Sequence, residues 1–242
     1  MGLEDQIALI TGASHGLGLA IARSLSAEGA SIACVARPGR ALDEAVASLR
    51  ASGAQVLAIP ADVTKAAEVE AAVRVAVEQW GRLDIVVLNA GTWQGAPLHE
   101  TTEEMWDQLL DLNLKAAFLT LKYAIPWLTA QGRGTVVGID SLGGRVGQPG
   151  SAAYAASKWG LRGLLESAAL ELKPHRVRVT LVGPHMMNSA GRRIEPGSPE
   201  RDQNLETADV AALVAFICAA PEHVSIGNVT IWPLSTGVRA QG

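Results

Sequence analysis

The stretch Ile7-Ala8-Leu9-Ile10-Thr11-Gly12-Ala13-Ser14-His15-Gly16-Leu17-Gly18 decides the fold. Its first residues are a short apolar run that predicts a strand over Ile7–Thr11, and Gly16 opens an apolar helical pattern that reaches Glu28. Gly12 permits a tight turn, while Gly16 and Gly18 let backbone approach a pyrophosphate and let the helix pack on the strand. The exposed N–H groups of the helix start then form an anion site, with Ser14, His15 and Leu17 lying in the same turn. A plain strand-to-helix turn with glycines for geometry is the alternative, and the strand–turn–helix context favours the anion site.

Outward from this turn, short β-branched runs alternate with longer alanine-rich stretches of helical period, the pattern of repeated βαβ units. Further strands are expected at Ser31–Ala36, Gln55–Pro60, Leu83–Asn89, Gly134–Ile139, Val177–Val182 and Asn228–Ile231. Helices are expected at Gly16–Glu28, Arg40–Ser52, Lys65–Trp80, Glu103–Leu128, Ser151–Leu172 and Ala208–Ala219. Gly29, Gly53 and Gly81 serve as left-handed stops, and Thr64, Thr207 and Ser151 are candidate N-caps. The expected architecture is a Rossmann-type, doubly wound parallel sheet of seven strands with helices on both faces, a single domain over 1–242. Ligands then belong beyond the carboxyl ends of the strands. The irregular stretch Gly183 to Glu206 reads as a substrate lid.

Composition narrows the function classes. The 242 residues are 48% hydrophobic and 18% charged, with a net charge of −4, so no polycationic surface awaits a nucleic acid or a membrane. The longest unbroken apolar run, Val210 to Ala220, is short of the ~20 residues that a membrane-spanning helix needs. The acidic start, Glu4-Asp5, does not resemble a secretory signal, and the cytosol is the expected compartment. Cys34 and Cys218 sit among apolar residues as reduced thiols, and no Cys/His cluster has metal-ligand spacing.

A second set of residues carries chemistry. Tyr154 and Lys158 are four residues apart on one helix face, and Ser141 lies thirteen positions before Tyr154 in the glycine-rich exit of the fifth strand. In isolation the pair reads as an interior aromatic and a snorkelling surface lysine. The glycine turn and Ser141, on the same edge of the sheet, reverse that reading.

The G-x-x-x-G-x-G spacing, Asp62-Val63 after the third strand, Asn89-Ala90-Gly91 after the fourth, Asn113, Ser141 and Tyr154-x-x-x-Lys158 together resemble the short-chain dehydrogenase/reductase family from Gln6 to about Gly183. The resemblance implies that Asp62 and Val63 hold an adenine ring and that Asn89, Ala90 and Gly91 bring backbone to the cofactor ribose. It implies too that Lys158 hydrogen-bonds the nicotinamide ribose and that Asn113 holds a water linking Lys158 to solvent.

Hydride transfer to a carbonyl leaves an alkoxide that must gain a proton, and the reverse reaction must remove one. A free phenol, with a pKa of ~10, is a poor base at neutral pH, and a nearby ammonium favours phenolate. Tyr154 is therefore the expected general acid/base, Lys158 the charge that lowers its pKa, and Ser141 a hydrogen-bond donor to the substrate oxygen.

At the end of the second strand, Ala36-Arg37 stands where an acid would select NAD, so Arg37, with Arg40 and His15 nearby, points to NADP(H), NAD(H) being the alternative. Where the family has Pro-Gly-x-x-x-Thr, this chain has Val182-Gly183-Pro184-His185-Met186-Met187; Gly183 is kept. Trp93, Gln94, Leu142, Gln148 and His185 are candidate pocket walls, although a lone loop histidine is ordinarily exposed. Met186 and Met187 line the pocket or fill a gap. Arg192, Arg193 and Arg201 form a basic lid or a solvated loop.

The expected function is an NADP(H)-dependent oxidoreductase acting on a small-molecule carbonyl or secondary alcohol, as a homodimer or homotetramer. A non-catalytic nucleotide sensor or scaffold is the competing class, and the complete Ser141, Tyr154 and Lys158 set argues against it. A dehalogenase-like lyase is excluded by the glycine turn and by Lys158.

Overall fold

The computed structural model describes residues 2–188 and 203–234. Its chain order is β1 (Ile7–Thr11), α1 (Gly16–Ala27), β2 (Ser31–Ala36), α2 (Arg40–Ala51), β3 (Val56–Pro60), α3 (Ala66–Trp80), β4 (Ile85–Leu88), α4 (Glu103–Leu110), α5 (Ala116–Gln131), β5 (Gly134–Ile139), α6 (Ala152–Leu172), β6 (Val177–Pro184), β7 (Met187–Asn188), β8 (Leu205–Glu206), α7 (Thr207–Cys218) and β9 (Val229–Ile231). Seven strands form one sheet in the order β3-β2-β1-β4-β5-β6-β9, every neighbouring pair parallel. The strand order reverses between β1 and β4, which opens a crevice at their carboxyl ends.

Each face of the sheet is sealed by its own apolar layer. Ile21, Leu25, Leu49 and Val214, from α1, α2 and α7, pack on one side with Ile10, Ile32 and Val87. Val73, Leu128, Leu161 and Leu165, from α3, α5 and α6, pack on the other with Leu9, Val86 and Val136. Strands buried on both faces explain the continuous Ile/Val/Ala runs that the sequence shows in place of alternation.

Several boundaries differ from expectation for local reasons. β4 is Ile85–Leu88, because side chains take the ladder positions at its ends. Gln131 bonds both the N–H and the carbonyl of Leu83, at 2.9 and 2.7 Å, and Thr11 Oγ1 accepts the Asn89 N–H at 3.0 Å. β6 runs on to Pro184, since Gly183 and Pro184 pair with Thr230 and Ile231 of β9. Gly183 is thus strand and not the start of a lid, and β7 pairs with β8 across the ends of the irregular stretch. Residues 189–202 of the expected lid, with Arg192, Arg193 and Arg201, lie outside the described residues.

The single helix expected over Glu103–Leu128 is α4 and α5 joined by a π-helical turn, Asp111–Lys115. Such a turn has wider i→i+5 bonding and is often found at functional sites. The expected caps are also corrected. Thr64 donates its N–H and hydroxyl to Asp62 Oδ1 at 3.0 and 2.8 Å, and Lys65 precedes α3. The start of α7 is a capping box of Glu206 and Asp209, with Thr207 already helical. Ser151 holds the N-cap position of α6 without a side-chain bond. Gly29, Gly53 and Gly81 do take positive φ.

Candidate active site

The glycine turn leaves β1 at the crevice. Gly12 has φ +68°, and a Cβ on Gly18 would collide with the Gly12 carbonyl, so turn and helix fit only without side chains there. No side chain caps α1 and no acid occupies its first turn, while an added Cβ on Gly16 would meet nothing within 4 Å. Uncapped N–H groups, open space and the absence of a repelling charge are what a bound phosphate group requires. Leu17 is buried beneath the turn, and half-buried Ser14 and exposed His15 bond each other at 2.9 Å.

Thr11 fastens this turn to the next loop. Its Oγ1 donates to the Val87 carbonyl at 3.2 Å and accepts from the N–H groups of Asn89 and Ala90 at 3.0 and 3.1 Å. Asn89 Nδ2 returns bonds to the Thr11 and Gly12 carbonyls at 2.9 and 3.3 Å. Gly91 abuts Asn113 Oδ1. Sequence reasoning missed Thr11, whose role depends on β4 lying beside β1.

At the end of β2, Arg37 is exposed, whereas Arg40 is engaged with Glu44 at 2.6 Å and leaves Arg37 as the freer cation. The Asp62 carboxyl is held below its ordinary range by the Thr64 N–H, with Lys65 and Arg37 contributing. That places Arg37 and Asp62 in one electrostatic neighbourhood, with Val63 buried beside them.

Ser141, Tyr154 and Lys158 converge at the exit of β5. Ser141 opens a 3₁₀ turn, Leu142–Gly144, and its Oγ accepts the Gly143 N–H at 3.1 Å. The Tyr154 ring packs under that turn: a Cβ on Gly143 would sit 2.8 Å from Cε1. Lys158, 6% exposed, donates to the Ile139 carbonyl at 2.8 Å and lies 5.9 Å from the Tyr154 ring centroid. The snorkelling alternative for Lys158 is thereby excluded.

The electrostatics correct one expectation. Burial raises the Tyr154 phenol, and the Asp140 charge adds to the rise; the lowering influence is a hydrogen bond with Ser141, not the Lys158 ammonium. Burial in turn pushes Lys158 down to about 8, and Asp140 opposes that fall. Desolvation disfavours both charged forms and is the largest influence on each. Asp140 itself, 3% exposed, was not singled out from sequence.

Asn113 sits in the π turn with 1% exposure. It bonds the Thr92 backbone and Ser157 Oγ, which in turn donates to the Tyr154 carbonyl at 2.7 Å. Ser157, inside the Tyr-x-x-x-Lys spacing, is a second missed participant.

The pocket candidates separate. Trp93 is 63% exposed on the loop after β4, and Gln94 is bound to Gln108 at 2.9 Å. Leu142 is half-buried on the Ser141 turn, and Gln148 is exposed at the far end of that loop. His185 is not an exposed loop histidine. Its N–H donates to the Ile231 carbonyl on the neighbouring strand at 3.0 Å, and its ring stacks on Trp232 at 4.4 Å and 19°. Its Nδ1 is buried without a partner among the described residues, and burial lowers its pKa. Met186 is exposed, and Met187 packs on the core.

Cys34 and Cys218 are buried free thiols, pushed up to about 12 by burial. Among the described residues, no His/Cys/Asp/Glu cluster could hold a metal, and no helix is long and apolar enough to cross a membrane.

Residues 6–195 match the family model for short chain dehydrogenase. The chain belongs to the short-chain dehydrogenase family. This short-chain dehydrogenase is 32% identical over 241 residues to human dehydrogenase/reductase SDR family member 4, covering 95% of this chain and 86% of that protein. It is 35% identical over 239 residues to glycine betaine reductase ATRR of Emericella nidulans, covering 96% of this chain but spanning only 19% of that protein. Among solved structures, a metagenomic short-chain oxidoreductase in complex with NADP superposes with a TM-score of 0.84 at 37% identity, covering 96% of this chain and 98% of the other.

Proposed function

We propose that this oxidoreductase uses NADP(H) to interconvert a small-molecule carbonyl and a secondary alcohol. The carrying observation is the packing of Tyr154 under the Ser141 turn, with Lys158 buried one helical turn away on the same sheet edge as the uncapped α1. Gly12, Ser14, His15, Gly16, Leu17 and Gly18 would hold the pyrophosphate, Arg37 the 2′-phosphate, Asp62 and Val63 the adenine. Asn89, Ala90 and Gly91 would face the riboses, with Lys158 and Gly183 on the nicotinamide side. When bound, the nicotinamide gives or takes the hydride. The NADP in the metagenomic relative and the exposed Arg37 support this cofactor choice.

Ser141 and Tyr154 then orient the substrate oxygen by hydrogen bonds. The raised phenol suits reduction: Tyr154 holds its proton at neutral pH and delivers it to the forming alkoxide. Lys158 supplies positive charge as phenolate develops, and Asn113 keeps the loop and the helix in register. Trp93, Leu142, Gln148 and the stacked His185 wall the substrate side. Exposed Phe118, Trp127 and Trp159 on α5 and α6 support a homodimer or homotetramer, and the buried thiols suit the cytosol.

The test is a panel of carbonyls and alcohols, offered with NADPH or NADH and with NADP or NAD, followed by nicotinamide absorbance with Tyr154→Phe as the blank. Turnover that survives in Tyr154→Phe defeats the assignment; loss of a hundredfold or more is expected, in the ~10²–10⁴ range typical of general acid–base catalysis.

A further inference from the structure

Asp140 precedes Ser141 and has no part in the proton transfer just described. Its Oδ1 is buried without a hydrogen-bond partner among the described residues. The carboxyl lies against the backbone of Gly144, where any Cβ would collide with Oδ1, and the Asp140 N–H donates to the Val182 carbonyl at 2.8 Å. The side chain is thus confined by β5, β6 and the turn that carries Ser141. Lys158 donates to the Ile139 carbonyl, which belongs to the same peptide group as the Asp140 nitrogen.

Among the described residues, the charged groups facing Asp140 are Lys158 and Arg162 from α6 and Arg145 from the end of the turn, and the Tyr154 phenol lies in the same field. Arg162 is already paired with Glu166 at 2.8 Å, and Arg145 Nε is buried without a partner among the described residues. Burial raises the Asp140 pKa, while the Ser141 N–H and these three cations oppose the rise.

A buried carboxylate is costly, and an asparagine would fill the same space at less cost. What the ionised side chain adds is negative potential beside an ammonium that has lost its water. We propose that Asp140 is a positioning residue of this site: held against Gly144, its carboxylate keeps the Lys158 ammonium protonated on the Ile139 carbonyl and so sets the pH range in which Tyr154 and Lys158 work. The proposal rests on the roles given to Tyr154 and Lys158 above.

The sign is fixed by the charge. Asp140 raises the pKa of both Lys158 and Tyr154, so Asp140→Asn lowers both. Carbonyl reduction needs a protonated phenol and an ammonium, and its alkaline limb in kcat/KM therefore moves to lower pH in the variant. A substrate-free arm follows the Lys158 Cε resonance by NMR in lysine-labelled protein, assigned by its absence in Lys158→Arg. Wild type is expected to titrate at about 8, and Asp140→Asn at lower pH. Asp140→Ser serves if the asparagine variant does not fold. An unmoved Lys158 midpoint in a folded variant, or an activity loss equal at every pH with the limb in place, overturns the proposal. Absence of nicotinamide-linked turnover in wild type defeats the dehydrogenase reading instead, and the NMR arm still decides Asp140.

Discussion

Asn113 grips both backbone groups of Thr92, its Oδ1 accepting the Thr92 N–H at 2.8 Å while its Nδ2 donates to the Thr92 carbonyl at 3.0 Å. The same Nδ2 donates to Ser157 Oγ at 3.0 Å, and Ser157 donates to the Tyr154 carbonyl. One side chain in a π turn therefore couples the loop after β4 to the helix that carries Tyr154 and Lys158.

Removing that side chain strands the N–H and carbonyl of half-buried Thr92 and takes one of two partners from buried Ser157 Oγ. Asn113→Ala is expected to cost about 2–3 kcal/mol of stability, read by urea unfolding, and to lower kcat more than tenfold. A variant as stable as wild type would mean that water replaces the amide without loss.

Arg37 is exposed at the end of β2, and no acid stands beside it on the strand. Arg37→Asp should move the ratio of kcat/KM for NADP over NAD by at least about tenfold toward NAD, since a carboxylate repels a 2′-phosphate and accepts from a 2′-hydroxyl. The comparison needs both cofactors at one ionic strength.

Lys158 gives a stability prediction that runs against its catalytic role. Its folded pKa, about 8, lies below the ordinary 10.5. At neutral pH both folded and unfolded chains carry the proton, and the fold bears the full desolvation cost. Between those two values the unfolded chain binds more protons, so this group's contribution to stability rises with pH. Lys158→Met should be more stable than wild type by about 2 kcal/mol near neutrality, with the gap narrowing by about pH 10, and should be inactive. Paired denaturant titrations at the two pH values test this.

Asp84 lies at the opposite end of the sheet, 4% exposed. It accepts the Ile7 N–H at 3.0 Å and a two-pronged bond from Arg82 at 2.8 and 2.6 Å. Asp84→Ala is expected to cost about 3 kcal/mol in thermal or urea unfolding, while KM and kcat below the melting transition stay within about twofold. A changed KM would show that the two ends of the sheet are coupled.

Elements with a strong local signature were legible. The β1 turn, α1 and α2 fall within a residue of expectation because glycine spacing and apolar period are local properties. The π turn at Asp111–Lys115 was not legible: the Asn113 it presents is tied to Thr92 and Ser157, residues distant in sequence, and no local pattern announces that tie. The stacking of His185 was not legible for a similar reason: its partner, Trp232, arrives from the end of another strand.

The sequence by itself determined which side chains meet at the carboxyl edge of a parallel sheet, because strand order and helix period carry Ser141, Tyr154 and Lys158 there wherever their surroundings lie. Only the tertiary structure decided how those groups are charged. Desolvation depends on everything packed around a group, so the rise at Tyr154, the fall at Lys158 and the buried field of Asp140 come into being only once β5, β6 and α6 close upon one another.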